Sequence, residues 1–198
     1  MVLLSCSDKD DKEDLNNLSN AELNRRGWNA FQRRDFSSAE NHFSVMARRN
    51  NAKALGHYGL GWTALRRFQL NNAKEEFNRF IVAYNDLIAN TVSDSVFRDV
   101  RAGQTIVHSS LGEHNQAITV SSWFSGSSNE VNNWQFTHDS SIDANDIRLF
   151  RAMSQYALGQ FPASLTTVRL IDPSFEADVS TVEGRLLLMR RMEELARM

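Results

Sequence analysis

The sequence predicts an all-α protein, an α-solenoid of about four degenerate helical hairpins with a C-terminal capping helix. Three observations carry this expectation. A block of residues recurs at a fixed spacing; only two prolines, Pro162 and Pro173, interrupt the chain; and Ala, Leu, Arg, Glu and Gln fill the long stretches where alternating Val, Ile and Thr runs are almost absent.

The recurrence is direct. "GWNAFQRRDFSSAENHF", Gly27 to Phe43, returns as "GWTALRRFQLNNAKEEF", Gly61 to Phe77. Leu23, Gly27, Ala30, Phe36, Ala39, Phe43 and Met46 match His57, Gly61, Ala64, Leu70, Ala73, Phe77 and Phe80, each pair 34 residues apart. Within a unit these positions recur every three or four residues, the pattern of two amphipathic helices joined by a short turn near Arg34-Asp35 and Phe68-Gln69. Gly27, Ala30 and Ala39 allow the paired helices to approach closely, and Phe43 and Met46 fill the space toward the next unit. A hairpin this small cannot bury its own apolar face, so neighbouring units must stack into a continuous core.

Later units are fainter. "HSSLGEHNQAITVSSWF" places Gly112, His114 and Ala117 like the turn glycine, aromatic and small residue of another repeat, with Ser121 where phenylalanine is expected. It follows the second unit by 44 residues, and the added length falls in a stretch where Val96, Val100, Val107 and Leu111 share a helical face. "YALGQFPASLTTVRLIDP" puts Gly159 and Phe161 in a turn, Pro162 in the first turn of a helix and Pro173 beyond its end. The units therefore fall at about 20–52, 54–87, 94–125 and 142–173, within a repeat domain spanning 20–198. Ser125 to Ser141, rich in Ser and Asn, reads as a loop pinned by Trp134 and Phe136. A last helix, at about 178–197, carries Val182, Leu186, Met189, Met192 and Leu195 on one stripe. It is expected to cover the last open repeat face, the alternative being a docking or dimerisation helix.

Chemistry-bearing motifs are not found. Net charge is −2 with Lys and Arg spread along the chain, which argues against a nucleic-acid partner. His42, His57, His108, His114 and His138 show no metal-ligand spacing, and no phosphate loop or nucleophile elbow is present. Asp139, Asp143 and Asp146 lack the order of a calcium loop, so Ser141 or Asp143 is expected to cap the next helix instead. No catalytic, metal or cofactor residue is nominated, and the chain is expected not to be an enzyme.

The period and spacing resemble the tetratricopeptide repeat family, whose pattern is Trp-x2-Leu-Gly-x2-Tyr, then Ala-x3-Phe, then Pro. The second unit gives His57-x2-Leu60-Gly61-x2-Ala64 and Ala73-x3-Phe77; the first gives Leu23-x2-Arg26-Gly27-x2-Ala30 and Ala39-x3-Phe43. Both lack the first Trp, the Tyr and the Pro. The resemblance implies that the first helix of each hairpin lines a concave groove for a protein or peptide. It places Asn24, Trp28 and Phe31, then Tyr58, Trp62 and Leu65, on that wall, with Arg66 beside them to pair with a carboxylate. The alternative is a groove closed by the leader or the terminal helix, with both tryptophans in the core. A Trp-lined wall also suits a carbohydrate or small ligand.

The start of the chain carries a second resemblance. Leu3-Leu4-Ser5-Cys6, followed by the acidic tract Asp8 to Asp14, is similar to the lipobox of bacterial lipoproteins, in which the Cys is lipidated. This implies a lipid anchor on Cys6, a flexible tether over residues 1–19 and a place in the bacterial cell envelope. The alternative is a cytoplasmic adaptor without lipid. Cys6 is the single cysteine, so neither an internal disulfide nor a Cys-based zinc site is expected.

Overall fold

A computed structural model describes residues 14–86 and 92–197; Cys6 and the tract before Asp14 lie outside the described residues. Among the described residues the secondary structure is helical, and the single β feature is an isolated bridge between Gln135 and Asp143. A 3-10 turn at Leu15–Asn17 leads into α1 (Asn20–Gln32), α2 (Phe36–Ala47), α3 (Lys53–Arg66), α4 (Leu70–Asp86), α5 (Asp94–Ser110) and α6 (His114–Val120). A second 3-10 turn (Ser122–Ser125) and the one-turn helix α7 (Asn129–Asn132) precede α8 (Ala144–Ala157), α9 (Phe161–Arg169) and α10 (Val182–Leu195). The first turn docks rather than trailing as a tether. Leu15 and Leu18 pack against the core, and Arg49 donates to the carbonyls of Asn16 and Leu18 at 2.8 Å each.

Four hairpins, α1/α2, α3/α4, α5/α6 and α8/α9, are joined by the same turn. Arg34, Phe68, Gly112 and Gly159 each adopt a left-handed backbone, with φ of 62°, 57°, 74° and 72°. The next residue then donates its N–H to the carbonyl five positions back: Asp35 to Ala30, Gln69 to Ala64, Glu113 to His108 and Gln160 to Gln155, at 2.8–3.0 Å. Each left-handed residue also donates to the carbonyl three back, so two carbonyls at the end of the first helix are satisfied in each of these four turns.

Counting from these turns gives the packing register. Five residues on stand Ala39, Ala73, Ala117 and Ser164; nine on stand Phe43, Phe77, Ser121 and Val168, and all eight are fully buried. A β-carbon on Gly27 or Gly59 would come within 2.6 Å or 2.4 Å of the Phe43 ring, and one on Gly61 or Gly103 within 2.5 Å or 2.4 Å of Phe77. Each ring is thus held between a glycine of its own hairpin and one of the next. In the third hairpin the smaller Ser121 leaves room for a side chain from α8, and Arg151 enters to donate to Ser121 Oγ at 3.0 Å and to the Ile118 carbonyl at 2.5 Å.

One apolar core runs from Leu23 to Ile147, and a smaller one gathers Leu149, Ala152, Leu165 and Val168 under Leu188 and Met192 of α10. The inward face of α10 differs from the expected stripe: Gly184, Leu188 and Met192 are buried, while Val182 and Leu186 are exposed. Gly184 sets this rotation, since a β-carbon there would lie 1.9 Å from the Asp178 carbonyl oxygen and only glycine fits against that loop. No helix among the described residues is long and apolar enough to cross a membrane.

Candidate binding cleft

The wall residues named from sequence do lie together. Asn24, Trp28 and Phe31 are spaced by four and three along α1, and Tyr58, Trp62 and Leu65 repeat that spacing on α3, so each set shares one helical face. The segment Trp134 to Ser141 of the same chain lies across this face. The His138 imidazole stacks flat on the Trp28 indole at 3.6 Å and 2°, and the Phe136 ring stacks on Trp62 at 3.9 Å and 17°. Trp28 Nε1 donates to Asn24 Oδ1 at 3.1 Å. Arg66 forms an ion pair with Asp139 and lies 3.3 Å from Ser141 Oγ. Trp28, Phe31, Tyr58, Trp62 and Leu65 are all buried as a result.

Both tryptophans are therefore covered by the inter-repeat loop, and α10 packs instead on α8 and α9. Trp134, Phe136 and His138 alternate with exposed Gln135 and Thr137; the chain is extended about the bridge at Gln135, and a turn at Thr137-His138, closed by the Asp139 N–H donating to the Phe136 carbonyl at 3.1 Å, carries His138 onto the same side. That two-residue period was the available signal. It says that one side of the loop is apolar, but not which wall receives it.

Beneath the loop, Asp99 of α5 accepts from Tyr58 Oη at 2.7 Å and from Trp134 Nε1 at 3.1 Å. Burial pushes its carboxyl up to about 6, although both hydrogen bonds favour the charged form. Burial, then the neighbouring Asp99, holds the Tyr58 phenol well above its usual range. Removal from water also pushes His138 down to about 4, so the ring on Trp28 is neutral near pH 7. Nothing in the sequence marked Asp99, one acid among twenty-four.

Arg148 anchors the other end of the segment. It is 2% exposed and donates to the carbonyls of Phe124 at 3.1 Å and Gly126 at 2.8 Å, and to Asn132 Oδ1 at 2.6 Å. Asp143 and Asp146 form a reciprocal cap at the start of α8, which accounts for the acidic cluster without a metal. Among the described residues no three metal-ligating side chains come together.

What stays open is a cleft of about 810 Å³ beside the covered wall. The turns at Arg34 and Phe68 form one side, and Thr137 to Ile142 with Asp146 and Phe150 of α8 form the other. Arg66 reaches its floor; burial and the nearby Arg34 cation both lower the pKa of its guanidinium. Burial raises the Asp146 carboxyl. At the mouth Phe68 is 88% exposed while held in the left-handed region, where a β-carbon costs about 1–2 kcal/mol. The two later hairpins place glycine at this position.

Comparison of the chain with protein-family models, with curated proteins and with solved structures found no match.

Proposed function

We propose that this chain is a non-enzymatic protein-interaction module of the tetratricopeptide kind, a small α-solenoid whose recognition surface is the cleft between the turns at Arg34 and Phe68. The reading includes a lipid tether on Cys6 that holds the module in a bacterial cell envelope. Its support is the 34-residue recurrence together with four turns of one hydrogen-bonding pattern. The single observation that selects the cleft is Phe68. A large aromatic kept exposed in a conformation that favours glycine reduces stability, and such a feature persists where an anchor for a partner is wanted. Arg34 beside it offers a cation for an acidic group of the bound segment.

A decisive comparison is Phe68→Gly. The variant is expected to melt higher, by about 1 kcal/mol of added stability, because glycine relieves the left-handed strain. A photo-crosslinking residue placed at Gln32, on the cleft wall, is expected to give a discrete protein adduct in cells that disappears in the Phe68→Gly background. An adduct of unchanged yield in that background defeats the assignment. Lipidation is tested separately: incorporation of a labelled fatty acid into the chain expressed from its full upstream reading frame, lost in Cys6→Ala, supports the tether, and a soluble unlabelled product removes it.

The size of the cleft favours a second reading. About 810 Å³ lies within the range of small-molecule sites, so a carbohydrate or other small ligand bound among these aromatics is the alternative occupant. A ligand that raises the melting temperature of the wild type but not of Phe68→Gly would move the assignment there.

A further inference from the structure

The outward face of α10 carries three of the seven strongly exposed large apolar side chains among the described residues: Val182, Leu186 and Leu187. Its opposite face is already used, since Gly184, Leu188 and Met192 are buried against the rest of the chain. At 100° per residue, Glu183, Leu186, Leu187 and Arg190 fall on one stripe with spacing i, i+3, i+4, i+7. The stripe is apolar in the middle and oppositely charged at its two ends. Neither Glu183 nor Arg190 makes an ion pair among the described residues, whereas Arg191 on the flank is held by Asp172 at 2.9 Å and Glu194 at 2.8 Å.

That pattern is complementary to itself in one orientation. If a second copy of α10 is laid antiparallel, with the two-fold axis between Leu186 and Leu187, each Leu186 meets the other copy's Leu187 and each Glu183 meets the other copy's Arg190. A parallel arrangement sets Glu183 against Glu183 and Arg190 against Arg190, which repels. We propose that α10 is an isologous homodimer interface, its occupant a second copy of this chain packed antiparallel across Leu186 and Leu187. The contact is a single pair of short helices, below the area of a permanent dimer, so association is weak and depends on concentration. The inference is independent of what the cleft binds.

The test is sedimentation velocity of the full 198-residue chain from about 5 to 500 μM, a range that brackets a weak dimer. A reversible monomer–dimer equilibrium is expected for the wild type. Glu183→Arg and Arg190→Glu, each alone, are expected to weaken it about tenfold or more, because a two-fold interface contains every pair twice. The double reversal Glu183→Arg/Arg190→Glu is expected to restore it, and Leu186→Lys to abolish it. All these positions are exposed, so the variants are expected to stay folded, with no more than a small fall in melting temperature where Glu183, in the first turn of α10, becomes Arg, and the melting curves serve as the folding control. A wild type that stays monomeric throughout, or a dimer whose constant is the same in all four variants, overturns the proposal.

Discussion

The imidazole of His138 lies parallel to the indole of Trp28, 3.6 Å away, and removal from water lowers its pKa to about 4. In the unfolded chain the same group titrates near 6.5, so on acidification the unfolded state takes up a proton that the folded state refuses. This stability contribution is complete above pH 6.5 and is lost as pH falls toward 4. Melting His138→Phe in parallel with wild type checks it. The wild type should lose more stability between pH 7 and pH 4.5 than the variant, and parallel losses would show that the stack carries no proton linkage.

Asp99 works in the opposite sense over an overlapping window. Its folded pKa of about 6 stands above the ordinary 3.8, so the folded state holds a proton that the unfolded state has released. This contribution is present below pH 3.8 and is lost as pH rises through 6, leaving a buried charge at neutral pH. Asp99→Asn disturbs the bonds from Tyr58 and Trp134 at any pH but removes the charge. Its stability relative to wild type should therefore improve from pH 4 to pH 7.5, as read by denaturant melts. A constant difference across that range would contradict the burial assigned to Asp99.

The glycines that hold Phe43 give a prediction of inverted sign. In an exposed helix interior, Gly→Ala gains about 1 kcal/mol. At Gly27 and Gly59 the new methyl would enter the Phe43 ring, and both alanine variants are expected to lose about 1–3 kcal/mol instead. Chemical denaturation of the two variants decides it: a stabilised Gly27→Ala would show that α1 and α2 do not close on Phe43 in this way, and a stabilised Gly59→Ala that the first two hairpins do not interlock through it.

Trp62 separates packing from hydrogen bonding. The side chain is fully buried on Phe136, yet its Nε1 has no hydrogen-bond partner among the described residues. Truncation to alanine should cost about 3–5 kcal/mol. Trp62→Phe keeps a ring on Phe136 and removes the orphaned donor, so its loss is expected to stay below about 1.5 kcal/mol. A phenylalanine variant as damaged as the alanine variant would mean that the indole N–H is bonded after all.

How far the chain can be read in advance follows from these residues. Gly27 and Gly61, Ala39 and Ala73, and Phe43 and Phe77 were legible because stacked hairpins impose the same packing on the same position, and a repeated constraint leaves a repeated residue. The turns at Arg34 and Phe68 were placed by the same logic, though their left-handed backbones were hidden behind residues that seldom adopt them. The face α10 turns inward was read only in part: Met192 and Leu195 of the expected stripe pack inward, whereas Val182 and Leu186 do not. Its periodicity admits two apolar stripes, and a backbone contact at Gly184 chooses between them.

The sequence by itself determined the helical class and the period, since each rests on spacings of three, four and 34 that local geometry and stacking enforce; the members of the aromatic wall came only from the resemblance to the tetratricopeptide pattern. Only the tertiary structure decided what that wall faces. Trp134, Phe136 and His138 reach Asp99, Trp62 and Trp28 across separations of 35 to 110 residues. Contacts made once, between a unique loop and two repeated helices, leave no period to read. They arise because burying three aromatic side chains on a ready apolar surface outweighs the entropy lost in ordering the loop.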